Sequence, residues 1–314
     1  GGFGMTVTCA SHVDPRGQGF PGQLGCFGDE HLPGLTRLAA GIRAQGSVAI
    51  VQLHHAGRRA PAELIGMAPV APADDAKAGA RRLTTAEVHE VIESFIAAAV
   101  RCDVAGFDGV ELHSAHDYLL CEFLSAEFND RTDDYGGSRA ARFRIVEEII
   151  SGIRRRCRPD FHVGVRLSPE RFGLATADVM DAFERLVATG MVDLIDLSLW
   201  DVFKAAAGEE FASRPLLELF TGLDRGAVRL AAAGHLYSGP DVQRALDRGA
   251  DIVAIGRAAI TNHDFPLLIQ ANPTTAMREL PVARETLAAE GLGPAFLDYM
   301  STWRGFVGAS DVPT

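Results

Sequence analysis

Four things are missing from this chain of 314 residues. No stretch approaches the ~18 uninterrupted apolar residues of a membrane-spanning helix. No C-x-x-C pair occurs among Cys9, Cys26, Cys102, Cys121 and Cys157, which argues against a zinc ribbon or an iron–sulfur cluster. An odd set of isolated thiols fits a reducing cytoplasm, the expected location. No Lys/Arg run marks a polyanion-binding face: 30 Lys+Arg against 41 Asp+Glu leave a net charge of −11, so neither nucleic acid nor an anionic membrane is an expected partner. The one basic cluster, Arg154-Arg155-Arg156 with Arg158, reads as the positive end of a helix, where it suits the dipole. Finally, Gly1–Met5 carry neither a basic region nor a cleavage pattern, so no signal peptide is expected.

What remains is an ordinary globular composition, 47% hydrophobic and 23% charged with 33 Gly and 15 Pro, which excludes collagenous, disordered and disulfide-dense classes. Short apolar runs at Phe3–Thr8, Val48–Leu53, Gly109–His113, His162–Leu167, Leu194–Ser198, Val228–Ala232 and Ile252–Ile255 have the look of buried parallel strands. Amphipathic helices are expected between them near His31–Gln45, Thr85–Ala105, Ser138–Cys157, Thr176–Thr189 and Pro240–Arg248, with starts signalled by Thr85 before Glu87, by Ser138 and by Asp178. This strand–helix alternation is the grammar of an α/β fold. With no composition break it predicts one domain over 1–314, a (β/α)8 TIM barrel, with a doubly wound sheet as runner-up. The loops Ala71–Arg82 and Trp200–Arg214 are long enough to be rim excursions on the side where barrels keep their chemistry.

Four strand ends carry candidate chemistry. In Glu111-Leu112-His113-Ser114-Ala115-His116-Asp117-Tyr118, two imidazoles three apart can converge on one acceptor oxygen, and a phenol two positions on can deliver a proton from another side. H-x-x-H also permits a metal reading, though no third ligand stands at a nearby strand end. Gln52, in Val51-Gln52-Leu53-His54-His55, suits the amide edge of a flavin or purine ring, or is a satisfied core glutamine. Arg166, embedded in a strand, needs an anion, a carbonyl cluster or a core carboxylate as partner. Gly234 and His235 in Ala233-Gly234-His235-Leu236, and Gly256 and Arg257 in Ile255-Gly256-Arg257-Ala258, end the last two units, where backbone N–H groups can approach a phosphate.

Taken in order, these motifs resemble the old yellow enzyme family of FMN-dependent NADH:flavin oxidoreductases and ene-reductases. The resemblance runs from about Gly4 to Phe306. It rests on Asp14-Pro15-Arg16-Gly17, Pro21–Gly25, Gln52–Arg58, Gly109–His116, Phe123-Leu124-Ser125, Asn129 with Arg131-Thr132-Asp133, Tyr135–Ser138 and Gly256-Arg257. It implies FMN as cofactor and NADH or NADPH as reductant. Gln52 would bond the pyrimidine edge, Arg166 would stand beside N1 and C2=O, Ala10 would give a main-chain contact, and Gly234, His235, Gly256 and Arg257 would hold the phosphate. His113 and His116 would bind a carbonyl or nitro oxygen of an activated alkene. Tyr118 would protonate the α carbon once hydride reaches the β carbon.

The same resemblance marks departures. The family's first barrel strand has no counterpart before Gly1, Asp117 stands where glycine is usual, Cys121 where a polar residue is usual, and Ala126 where proline is usual. It implies the short, single-domain form and admits a homo-oligomer in which Arg304 reaches a neighbouring subunit. Two other functions remain open on the residues alone: a degenerate barrel binding flavin or a phosphorylated ligand without turnover, and a metal-dependent lyase or hydrolase.

Overall fold

The computed structural model describes residues 1–211 and 213–308. Seven strands form its main sheet in chain order: β1 Met5–Val7, β2 Val48–His54, β3 Gly109–Ser114, β4 His162–Leu167, β5 Leu194–Ser198, β6 Arg229–Ala233 and β7 Ile252–Ala254. Every neighbouring pair is parallel. Each connection is therefore a crossover, most of them carrying a helix. The two residues Ser11–His12 extend the edge by pairing with Leu53 and His54. All seven expected strands are present, displaced at their ends by one or two residues. The sheet curls as a barrel does but stays open: among the described residues no pairing joins β7 to β1. The expectation of a barrel lacking its first strand is matched by that gap.

Strand residues alternate between faces, and here the faces differ in kind. Val51, Leu53, Val110, Leu112, Val163, Val165, Ile195 and Leu197 are fully buried against the surrounding helices. The alternate positions Gln52, Glu111, Arg166, Asp196 and Ser198 line a cavity inside the curl. The sheet therefore places its polar groups on a single inner surface, at matching heights: Gln52 lies opposite Glu111, and Arg166 lies between His113 and Asp196.

The helices follow the expected ranges, with one correction. Thr84, not Thr85, caps Thr85–Val104, because Thr84 is still extended while Thr85 is already helical. Its hydroxyl accepts from the Glu87 N–H, and the Glu87 carboxylate accepts from the Thr84 N–H at 2.8 Å, a complete capping box. Ser138 caps Arg139–Arg156 as expected. At that helix's far end the basic cluster is paired, Arg154 with Asp193, Arg156 with Glu93 and Arg158 with Asp103. No helix is long and apolar enough to cross a membrane among the described residues.

Close strand packing depends on Gly109. A Cβ built there would lie 2.2 Å from the His162 carbonyl oxygen, a backbone atom that cannot yield locally. Gly109→Ala is expected to destabilise the fold by about 2 kcal/mol, as overpacking does, and urea unfolding should show this as a lower midpoint at unchanged slope.

Candidate active site

The inner polar face opens on a cavity of about 910 Å³ that runs from Thr8 and Cys9 past Gln52, Glu111, Arg166, Asp196 and Ser198 to the loops after β6 and β7. Six of the expected ligand-holding residues border it together: Gln52, Arg166, Gly234, His235, Gly256 and Arg257. Ala10 does not border it. Its carbonyl instead accepts from the Gln23 side chain at 2.8 Å, and Thr8 and Cys9 supply that wall.

Each buried polar group here has an identifiable partner or an identifiable lack of one. Gln52 donates from Nε2 to Glu111 Oε1 at 2.6 Å, so its own carbonyl oxygen is the free end of the amide. Arg166 pairs with Asp196, Nε to Oδ2 3.2 Å, but without hydrogen-bond geometry, and its Nε is left without a bond. Of the partners open for Arg166 on sequence, the core carboxylate is present as Asp196, and the side chain also borders the cavity. Glu111 is pushed up to about 7 by burial and by the Asp196 carboxylate, against the opposing pull of Arg166 and Gln52. Burial also raises Asp196, with Arg166 opposing.

Of the two glycines that follow β6 and β7, the backbone requires only Gly234. Gly234 adopts φ +141°, and a Cβ there would strike the Trp200 backbone at 2.7 Å. A Cβ on Gly256 would project into open space. Arg257 is held by the Tyr237 hydroxyl at 2.7 Å.

The histidine pair sits where β3 ends. His113 is buried, and its ring lies edge-on to that of His116 at 5.0 Å and to that of Tyr118 at 4.9 Å. His116 Nδ1 is 3.3 Å from His113 Nε2, and its Nε2 is 2.6 Å from the Ser198 hydroxyl. Arg166 Nη2 donates to the same hydroxyl at 3.3 Å. Ser198 therefore connects the imidazoles to the cavity wall. Burial, followed by Arg166 and Arg59, lowers His116 to about 3. Burial, followed by His116, His54, Arg166 and Arg59, holds His113 well below the usual range. Both rings are neutral near pH 7, so whatever they bind is held by N–H donors rather than by imidazolium charge.

The loop after β3 is strained and clamped. His116 and Asp117 both have left-handed backbones, φ +61° and +64°, a conformation that favours glycine. Asp117 is held there by Arg58, Nη2 to Oδ1 2.6 Å. Arg58 also reaches Asp75 at 3.2 Å and lies 3.6 Å over the Phe128 ring. Arg59 donates to the His116 carbonyl at 2.8 Å and lies over the Tyr118 ring.

Other expected motifs turn out to be scaffolding. Arg131 is buried and bonds Asp133 and the carbonyls of Pro72 and Leu83, while Asn129 bridges the carbonyls of Phe123 and Tyr135. Cys121 is fully buried and pushed up to about 12 by burial, as a packing thiol should be. Arg304 is exposed. Sequence reasoning passed over Glu111, Asp196, Ser198 and Trp200. A signal was present for the first three: β2, β3, β4 and β5 each place their inward groups two residues apart, Gln52 and His54, Glu111 and His113, Gly164 and Arg166, Asp196 and Ser198.

Comparison with known proteins places this geometry. The model of the NADH:flavin oxidoreductase / NADH oxidase family matches residues 1–275. A probable NADH-dependent flavin oxidoreductase, YqiG, of Bacillus subtilis (strain 168) is 34% identical over 278 residues, spanning 85% of this chain and 75% of that protein. An NADH:fumarate oxidoreductase of Klebsiella pneumoniae (strain 342) is 35% identical over 287 residues, which are 86% of this chain but only 31% of the larger protein. The solved structure of an old yellow enzyme homologue from Zymomonas mobilis superposes with a TM-score of 0.74 at 26% identity, covering 90% of this chain and 82% of that one.

Proposed function

The chain belongs to the NADH:flavin oxidoreductase / NADH oxidase family, and from that premise we propose that residues 1–314 act as one FMN-dependent ene-reductase domain, using NADH or NADPH to reduce the C=C bond of an activated alkene. The residues fit the cofactor. Arg166 Nε is a buried donor without a bond, the Gln52 carbonyl is free on the same wall, and Gly256 leaves open space at the far end. Gln52 and Arg166 would hold the pyrimidine edge. Gly234, His235, Gly256 and Arg257 would hold the phosphate, and Thr8 and Cys9, which border the cavity where Ala10 does not, would give the main-chain wall beside the flavin. Bound there, FMN supplies hydride transfer from the nicotinamide to the alkene.

The observation that carries this reading is the meeting of His113, His116 and Tyr118 beside that cavity. Two neutral rings 5.0 Å apart and edge-on, whose nitrogens engage each other and Ser198 in the free protein, would exchange those contacts for one carbonyl or nitro oxygen, drawing electrons from the conjugated bond. Tyr118 lies 4.9 Å from the His113 ring and donates its phenolic proton to the α carbon. Leu119 N–H is anchored to the His55 carbonyl at 3.1 Å, and Arg59 covers the Tyr118 ring, so the phenol is positioned from both sides. A small-molecule activated alkene as partner and a cytoplasmic location belong to the same proposal, supported by the net negative charge and the isolated thiols; a homo-oligomer is compatible with both.

The purified protein, reconstituted with FMN if needed, should be yellow, bleach with NAD(P)H under anaerobic conditions, and recover its colour when an enone is added. A protein that takes up no FMN, or whose reduced form ignores every enone and nitroalkene offered, would defeat the proposal.

A further inference from the structure

Glu111 has no task in the mechanism above, yet it sits at the centre of the inner surface. It is 2% exposed and borders the cavity. The groups packed round it come from three strands. From β2, the Gln52 amide donates to it at 2.6 Å. From β4 come Arg166 and, beyond Gly164, the ring of His162, which burial keeps neutral. From β5 comes Asp196, already engaged with Arg166 at 3.2 Å. The charges do not balance: two buried carboxyls share one guanidinium. Asp196 has the cation and Glu111 has only a neutral amide. A buried carboxylate without a cation is costly, so Glu111 is the group whose proton is most easily gained.

We propose that Glu111 takes up one proton from solvent when FMN bound in this cavity is reduced, and releases it when the alkene reoxidises the cofactor. This deepens the FMN reading and rests on it. NAD(P)H gives up a hydride, two electrons and one proton, and leaves as NAD(P)⁺. The reduced pyrimidine edge, lying against Gln52 and Arg166, carries one more negative charge than before. That charge competes for Arg166 and repels the Glu111 carboxylate, which takes a second proton from water and becomes a carboxylic acid. In the second half-reaction the hydride goes to the β carbon, Tyr118 protonates the α carbon and recovers its proton from solvent, and Glu111 returns its own. The cavity then holds the same net charge in both redox states. Burial and the Asp196 carboxylate already push Glu111 up to about 7 in the protein alone. A unit negative charge at this range in a half-buried site raises that by on the order of one pH unit or more.

The test is the pH dependence of the FMN midpoint potential in the holoenzyme, from pH 5.5 to 9. Wild type should take up about 1.5 protons per two electrons in a window between about pH 7 and a limit about one unit higher, approaching two if the separation is larger, and one proton below and above that window. Glu111→Gln keeps the shape and removes the titration, so it should take up one proton throughout. A second reading needs no variant: dye-monitored proton uptake from weak buffer on reduction by NAD(P)H, whose hydride brings the first proton, should be near zero at pH 5.5 and about half a proton or more per FMN at pH 7.5. An identical pH slope in wild type and Glu111→Gln, equal uptake at both pH values, or a window that vanishes in Asp196→Asn but not in Glu111→Gln would overturn the proposal. A wild-type protein that holds no FMN is a different outcome, because it removes the cofactor reading itself.

Discussion

Alanine at both His113 and His116 is expected to lower kcat/KM for a cyclic enone by about 10³-fold, with FMN still bound. Removing one well-placed donor to a developing oxyanion costs about 10²- to 10³-fold, and two donors serving a single oxygen are not additive. The structure makes these donors unusually dependent on each other. His116 is set by Ser198 at 2.6 Å and by His113 at 3.3 Å, and its backbone is fixed by the Ser168 hydroxyl, which accepts from His116 N–H at 3.1 Å. A single alanine at either position should therefore capture most of the loss. Neither residue borders the main cavity beside Gln52 and the glycines, so the cofactor spectrum should survive. His116→Asn, which retains an N–H donor near the same place, should stay within about tenfold of wild type. Single-turnover reoxidation of reduced enzyme by enone reads the step directly. A double alanine variant that reoxidises within tenfold of wild type would remove the histidines from the chemistry.

Acidification is expected to unfold the protein between about pH 6 and pH 4, and the cause is also a set of histidines. His54, His55 and His113 are buried and His116 lies beside them. Burial is the leading cause of all four depressed values, which are about 3 for His54, about 4 for His55, about 3 for His116 and well below normal for His113. Unfolded, each would titrate near 6.5. Below that pH the unfolded chain binds protons that the folded one refuses, so the stability these rings contribute is complete above about 6.5 and is lost as pH falls. Glu111, at about 7, and Glu122, well above normal through burial, act in the opposite sense. They hold protons when folded, so their contribution is present at low pH and lost as pH rises from about 4.5 to 7. Four imidazoles against two carboxyls leave a net two protons, about 3 kcal/mol per pH unit. Below about pH 4.5 the carboxyls are protonated in both states and the slope steepens. Against a typical stability of about 5–15 kcal/mol, that is enough to unfold the domain. Urea midpoints at pH 7, 6 and 5 should fall progressively, and a flat series would contradict the assignment of neutral buried rings.

The fold was legible because its strands are apolar on one face and its helices begin with recognisable caps. The seven strand ranges and Ser138 follow from that alone. Less visible was the meaning of polar residues inside strands. His113 was legible because His116 and Tyr118 follow it in the loop, Gln52 because its amide interrupts an apolar strand, and Arg166 because a guanidinium inside a strand demands a partner. Glu111 and Asp196 were not, because an acid amid Val and Leu looks like an isolated exception until neighbouring strands are set in register. Only pairing shows that Glu111 faces Gln52 and that Asp196 faces Arg166. The cap at Thr84 was missed for a smaller reason: two consecutive threonines are equivalent in composition and differ only in backbone conformation. Arg131 and Asn129 stood out as motif residues and proved to brace loops, since a buried guanidinium is equally at home on backbone carbonyls.

Arg58 binds two parts of the molecule that would otherwise diversify separately. Asp75 belongs to the excursion after β2, and Asp117 adjoins Tyr118, the proton donor of the proposed reaction. With a single guanidinium shared between them, a change of sequence in the excursion that displaces Asp75 also alters the hold on Asp117 and its left-handed turn. Descendants of this protein cannot broaden their substrate range at that rim without altering turnover at the same time. The opposite rim is tethered as well: Ser168 and Ser198 hold His116, and the Phe172 ring lies edge-on to the His116 ring at 6.0 Å, so changes around Arg171 and Trp200 bear on the same loop from the other side.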